Sequence, residues 1–284
     1  MKRAFLITTL FLFGLLLAIP APSSAEEPKS SVSYGLTDLL VSPERIIFEE
    51  SSRMAEIALI NQSNRQLTYG ISFIQYRMDE NGGMKEIKEP AQGEQFADPY
   101  VRFTPRRVIL EPRQTQMVRM MLGKPQNLAD GEYRSHLRFS VIPESKEAAA
   151  DKGNNQKGLE IQLIPIYGIS IPVIVRQGSL NLDTRLVGLR LEKKADPAKP
   201  VFSFTIERQG TRSSFGDLEA EWKGKMIGQI RGIAVYTPNA KRNVSMQLSL
   251  PKDMVLQGGR LNLRYIDHSG GKENLLSENN LSIP

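Results

Sequence analysis

From Leu36 onward apolar and polar residues alternate with a period of two, in short runs broken by turn residues. That is the pattern of half-buried β-strands, not of helices. The clearest run spans 133–141: Tyr133, Ser135, Leu137, Phe139 and Val141 fall on one face, and Arg134, His136, Arg138 and Ser140 on the other. The same alternation predicts strands over 45–49, 55–61, 67–78, 107–110, 116–122 and 159–175. Turn chemistry separates them at Asn81-Gly82-Gly83, Glu111-Pro112-Arg113 and Asp130-Gly131. Roughly seven strands in about 140 residues is the count of an immunoglobulin-like sandwich. A second, shorter block from Gly178 predicts strands over 201–207, 218–222, 228–236, 244–250 and 260–265. The expected fold is all-β, with two immunoglobulin-like β-sandwich domains over 36–176 and 178–284.

The run 159–175 departs from the rule. Ile161, Leu163, Ile169, Ile171, Val173 and Val175 share one parity, while Ile164, Ile166 and Ile174 occupy the other. Both faces are apolar, and the stretch is longer than an ordinary strand. Periodicity leaves two alternatives open: a central core strand, or an edge strand whose apolar side chains await another chain. A polar, low-complexity loop over 143–158 leads into it; loops of this length are commonly functional or disordered.

The N-terminus sets the compartment. Lys2 and Arg3 precede an apolar run from Ala4 to Ile19, then Pro20 and Pro22, the small residues Ser23-Ser24-Ala25, and Glu26. This reads as a secretory signal peptide over 1–25, cleaved after Ala25, in preference to a retained membrane anchor. Loss of Lys2 and Arg3 lowers the formal net charge from +6 to +4. No later segment is apolar enough to insert into a membrane, and the remaining charge is dispersed, with no basic block to suggest nucleic acid. The chain has no cysteine, so disulfides, thiolate metal sites and cysteine nucleophiles are excluded. An exported, disulfide-free chain of this size fits a Gram-negative periplasm.

Candidate chemistry is sparse. The two histidines, His136 on the polar face of a strand and His268 in a turn, have no second histidine at metal-ligand spacing, and solvent exposure is expected for both. Gly168-Ile169-Ser170-Ile171-Pro172 lacks the second glycine and the following helix of a nucleophile elbow. The Asn-x-Ser sites at Asn61, Asn243 and Asn280 are weak glycosylation signals. No enzyme activity, metal or cofactor is expected.

Several segments together resemble the periplasmic pilus-assembly chaperones, the PapD-like proteins of the chaperone–usher pathway. They are Val41-Ser42-Pro43-Glu44-Arg45-Ile46-Ile47-Phe48, Ala55 to Asn61, Phe103-Thr104-Pro105-Arg106-Arg107-Val108 with Leu110-Glu111-Pro112 and Met117-Val118-Arg119, and Asp130-Gly131-Glu132-Tyr133-Arg134-Ser135, followed by Val141-Ile142-Pro143 and the long apolar strand. Tyr265 to Gly271 is similar to a late hairpin of the family. The resemblance implies a chaperone that captures secreted pilus subunits by donating an edge strand, with pilin-like subunits and an outer-membrane usher as partners. By position it implies Leu159, Ile161, Leu163 and Pro165 as the donated residues and Arg45 as the cleft arginine that grips the subunit's terminal carboxylate. It also implies Arg119 and Glu132 as a structural ion pair. The family's second anchoring lysine falls on Ser170, which has no charge, so that role would pass to another base such as Arg106 or Arg176. The ending Val175-Arg176-Gln177 also departs from the family's aromatic-Arg-Pro. A reading of another class is a secreted β-sandwich adhesion or scaffold protein that binds a surface partner stably.

Overall fold

The computed structural model describes residues 38–49, 52–143, 167–192, 199–252, 254–269 and 271–284. The expected signal peptide over 1–25, the loop 144–158 and the expected donor residues Leu159, Ile161, Leu163 and Pro165 lie outside the described residues. Those described contain strands and no helix. In chain order they are β1 (Leu39–Ser42), β2 (Ile46–Phe48), β3 (Met54–Asn61), β4 (Leu67–Met78), β5 (Met84–Ile87), β6 (Val101–Thr104), β7 (Arg107–Leu110), β8 (Thr115–Leu122), β9 (Gly131–Val141) and β10 (Gly168–Gln177). There follow β11 (Leu182–Glu192), β12 (Val201–Gly210), β13 (Ser214–Trp222), β14 (Lys225–Val235), β15 (Lys241–Gln247), β16 (Gly259–Asp267) and β17 (Asn274–Ile283).

The first ten strands make two sheets. One has the order β1-β3-β8-β6; the other runs β2-β10-β9-β4-β5, with β7 also paired to β4. The chain crosses from the first sheet to the second between β1 and β2 and again between β6 and β7. Pro43 and Pro105 stand at those crossings, where a residue without an N–H cannot extend the ladder. Strand order and crossings together are those of an immunoglobulin-like sandwich. Its core comes from the inward parity of each strand, including Phe48, Ile57, Leu59, Leu110, Leu137 and Phe139, all fully buried. Asn61 is buried with them: its Nδ2 donates to the carbonyls of Arg65 at 2.7 Å, Leu110 at 3.0 Å and Glu111 at 3.1 Å, while Oδ1 accepts from the Ser63 N–H. An amide so occupied serves the fold and cannot carry a glycan.

The remaining strands form a second sandwich of two sheets, β11-β12-β15 and β14-β13-β16-β17. Trp222, Phe202 and Tyr265 fill its centre. The Tyr265 hydroxyl donates to the Ile233 carbonyl at 2.8 Å, which satisfies the polar end of a buried ring.

Strand β10 resolves the ambiguity of its apolar faces. Ile171, Val173 and Val175 join the first core, while Ile174, of opposite parity, packs in a small separate cluster with Met78, Ala234 and Tyr236 between the sandwiches. β9 flanks β10 along its whole length, but β2 pairs with it only at Val173–Val175. It is therefore a core strand by its inward face and, over Gly168–Pro172, open along one edge among the described residues.

Candidate functional site

The even-numbered face of β9 was expected to meet solvent. The second sandwich covers it instead: Glu132, Arg134 and His136 are all buried. This corrects the expectation of an exposed His136. Alternation identifies which residues share a face, whereas a packed neighbour decides whether that face is wet.

Glu132 lies at the centre, its side chain fully buried. It accepts from Arg176 Nε at 3.2 Å, from the Ser213 N–H at 3.2 Å and from the Ser213 hydroxyl. Ser213 Oγ in turn accepts from the Thr237 N–H at 3.0 Å. Arg176 continues to Glu49 at 2.6 Å. One carboxylate thus ties β9 and β10 of the first sandwich to the second, and this supported geometry makes a buried charge tolerable.

Arginines outnumber that carboxylate. Arg134 donates to the Tyr76 carbonyl at 3.2 Å and stacks on Tyr236, with its guanidinium carbon 4.1 Å from the ring centroid. Arg208 is held by the carbonyls of Asn239 and Gly210 at 2.8 and 2.7 Å. Arg242 donates to the Ala234 carbonyl at 2.8 Å. Arg45, just before β2, is half-buried and stacks on Phe215, 3.5 Å from guanidinium carbon to ring centroid. Its Nε and Nη2 are buried without a hydrogen-bond partner among the described residues. Desolvation draws its pKa below the ordinary arginine value, while Tyr236 and, more weakly, Glu132 act the other way. A guanidinium remains charged at neutral pH even so. The arrangement is a positive charge already stripped of water, stacked on a ring, with two donors to spare.

Beside it the junction holds an open cavity of about 400 Å³. The β4–β5 hairpin supplies Tyr76, Met78, Gly82 and Met84; β9 and β10 supply His136, Ser170 and Pro172; the second sandwich supplies Gly232, Ala234, Tyr236 and Arg242. Gly82 has φ +86°, and a Cβ there would stand 2.3–2.5 Å from the Arg242 guanidinium. The positive φ of the turn favours glycine there, while the guanidinium, at the tip of a flexible side chain, lies close against it. His136 meets Tyr76 and Tyr236 edge-on, at centroid distances of 5.1 and 6.1 Å. Burial, with Arg134 adding repulsion, pushes its imidazole down to about 3.

The expected site residues scatter. Ser170 lines the cavity and Arg45 does not. The ion pair expected between Arg119 and Glu132 does not exist. Arg119 lies on the outer face of β8 and pairs with Glu56 of β3 at 3.1 Å, both side chains more than half exposed. Glu132 takes Arg176 and Ser213. The two belong to different sheets and point to opposite sides of the sandwich. Of the substitute bases, Arg176 is engaged by Glu132 and Glu49, and Arg106 is exposed with its guanidinium carbon 5.2 Å from the Phe103 ring centroid. The residues that sequence reasoning passed over are His136, Tyr236, Phe215 and Arg242. For the first the signal was present: Arg134, His136 and Arg138 share one parity opposite the core. Arg242 carried none.

No protein-family model and no curated protein matches the sequence. Solved structures similar to the chain include the Pseudomonas aeruginosa CupB2 chaperone, with TM-score 0.45 and 12% identity over 86% of this chain and 100% of that one. The CsuC–CsuE chaperone–tip adhesion subunit pre-assembly complex of the archaic chaperone–usher Csu pili of Acinetobacter baumannii gives TM-score 0.45 and 12% identity over 84% and 97%. The YadV chaperone gives 0.43 and 14% over 87% and 100%.

Proposed function

We propose that this protein is a periplasmic chaperone that captures an incomplete, secreted β-sandwich subunit, lends it a strand, and holds it for an outer-membrane usher. The observation that carries the reading is Arg45: a guanidinium with buried, unpartnered Nε and Nη2, stacked on Phe215 at the foot of a strand with an open edge. An incoming terminal carboxylate would satisfy both donors at once, and bidentate charge-assisted bonds are the strongest a side chain can offer. The resemblance of 36–176 to pilus chaperones supports the same assignment.

In this reading the open edge of β10 continues upstream into the donor segment, where Leu159, Ile161, Leu163 and Pro165 enter the subunit's groove. Main-chain hydrogen bonds supply affinity and side-chain parity sets the register. Residues 1–25 are removed on export, and the working chain divides into 36–176 and 178–284. No cofactor or nucleotide takes part, since burial of donated side chains supplies the free energy.

The test is co-expression with a pilin-like subunit encoded beside the gene. The wild-type chain should yield a soluble, protease-resistant complex. Ile161→Asp combined with Leu163→Asp should abolish capture while the chaperone stays folded, and Arg45→Ala should weaken it by roughly 10- to 100-fold, the loss of one or two charge-assisted bonds. Capture that survives the double aspartate variant rules out strand donation; affinity unchanged in Arg45→Ala rules out the carboxylate anchor.

A further inference from the structure

The Asn-x-Ser sites, alike in sequence, become unlike in the folded chain. Asn61 is buried, and its amide is taken by the carbonyls of Arg65, Leu110 and Glu111. Asn243, in β15, is held on every side: Oδ1 accepts from the Thr205 hydroxyl at 3.0 Å, Nδ2 donates to Asn81 Oδ1 at 3.2 Å, and its N–H donates to the Glu80 carbonyl at 2.6 Å. Asn280 is exposed, and among the described residues only its backbone N–H is engaged, by Asn279 Oδ1 at 2.8 Å. The residue two places upstream differs as well: Leu59 and Lys241 precede the first two, Glu278 the third. The register of β17 with β16 is regular over Ser277–Ile283, so Glu278, Asn280 and Ser282 fall on one face, and all three are exposed. Arg264, across from Glu278, pairs with Glu219 at 3.7 Å and leaves the Glu278 carboxylate free. β17 is also the outermost strand of its sheet. On its outer side it has side-chain bonds rather than a ladder: the Thr184 hydroxyl donates to the Leu276 carbonyl at 2.8 Å, and Asn279 Nδ2 to the Leu186 carbonyl at 2.6 Å.

We propose that Asn280 is an acceptor for N-linked glycosylation by a periplasmic oligosaccharyltransferase, with Glu278 and Ser282 as the groups by which that enzyme recognises it. An amide nitrogen is a weak nucleophile because its lone pair is delocalised into the carbonyl. The enzyme must therefore grip the acceptor firmly around it. An extended strand presents the grips in a row, at intervals of about 7 Å: a carboxylate for a basic pocket, the reacting amide, and a hydroxyl to fix its orientation. In the transfer, Nδ2 of Asn280 displaces a lipid pyrophosphate from C1 of the first sugar of a lipid-linked oligosaccharide. The N–C1 bond forms, the C1–O bond breaks with its electron pair leaving on the pyrophosphate, and one amide proton passes to a base of the transferase. Asn61 is shut off by burial, and Asn243 by its hydrogen bonds and by a lysine where the carboxylate is needed. The inference rests on export of the chain, as proposed above, and on no step of subunit capture.

The experiment incubates the purified, folded chain over 26–284 with a purified bacterial oligosaccharyltransferase and an undecaprenyl-pyrophosphate-linked oligosaccharide, and reads the product by mass spectrometry of the intact protein and of its peptides. One glycan should appear, on the peptide that carries Asn280, while Asn61 and Asn243 stay bare. Asn280→Gln and Ser282→Ala should abolish transfer, and Ser282→Thr, which keeps the hydroxyl, should retain it. Glu278→Gln should slow it roughly tenfold, the worth of one charge-assisted bond. Arg45→Ala should be modified like wild type, whatever its effect on subunit capture. No transfer to the folded chain overturns the inference, even where a synthetic peptide of residues 274–284 is modified, for the strand would then be inaccessible in the fold. Transfer to Asn243 as fast as to Asn280 overturns the choice of site, and an unchanged rate in Glu278→Gln overturns the role of the carboxylate. Fractionation of cells expressing the full chain tests export by itself: a chain accepted by the enzyme in vitro yet retained in the cytoplasm refutes export and leaves the acceptor without a donor in the cell.

Discussion

His136 should make the protein acid-sensitive. Its imidazole is 4% exposed, packed between Tyr76 and Tyr236 beside Arg134, and held down to about 3 against an ordinary 6.5. A base whose folded pKa is depressed leaves the unfolded chain as the better proton binder between those two values. Stability therefore rises with pH through the window and is lost as pH falls through it. At about 1.4 kcal/mol per pH unit, the loss from this one residue is about 2 kcal/mol at pH 5, and it approaches about 5 kcal/mol only near pH 3. The perturbation is His136→Phe, which keeps a ring of similar size between the tyrosines and removes the titration. Urea unfolding of both proteins from about pH 7.5 to 4.5 isolates the residue, because every carboxylate contribution is common and cancels in the difference. Wild type should lose about 2 kcal/mol relative to the variant between pH 7.5 and 5. A difference that stays flat within about 0.5 kcal/mol over that range would refute the reasoning, for it would mean that the imidazole protonates in place.

Glu132→Gln should lower stability by about 3 kcal/mol, since it removes the buried charge facing Arg176 and leaves that guanidinium only the exposed Glu49, and denaturant titration reads the loss directly. Arg119→Ala, by contrast, removes a pair whose side chains are 77% and 53% exposed and should cost less than about 1 kcal/mol in the same assay. A larger effect would refute the reading of Arg119–Glu56 as an exposed pair. Asn61→Ala strips three carbonyls of a donor and should cost about 2–4 kcal/mol, visible as a lower midpoint with unchanged slope.

Much of the architecture was legible in the sequence because strand periodicity is a local property. β4 spans the predicted 67–78, and β2, β3, β7, β8 and β9 begin or end within two residues of their predicted bounds. Shorter or more polar strands escaped notice. β1, β5, β6, β11 and β17 have four to eleven residues, and along β5 and β17 exposed and half-buried positions mix without a buried stripe. The site was less legible. Arg45 could be singled out only through a resemblance, and its stacking partner Phe215 lies 170 residues away in sequence.

The sequence by itself determined that the chain is a cysteine-free β protein, and which side chains share a face of each strand. Both follow from composition and from the period of the pleat. It could not determine what covers a face. Ile174 lay on the second apolar face of a run whose role periodicity left open, and it joins a cluster between the sandwiches. His136 looked wet and is dry. Arg119 and Glu132 looked like partners and stand on opposite sides of a sandwich. Partnership between strands and between sandwiches is set by long-range packing, so tertiary structure alone decided where charge is buried. That burial turns dispersed arginines into a junction rich in positive charge around one carboxylate.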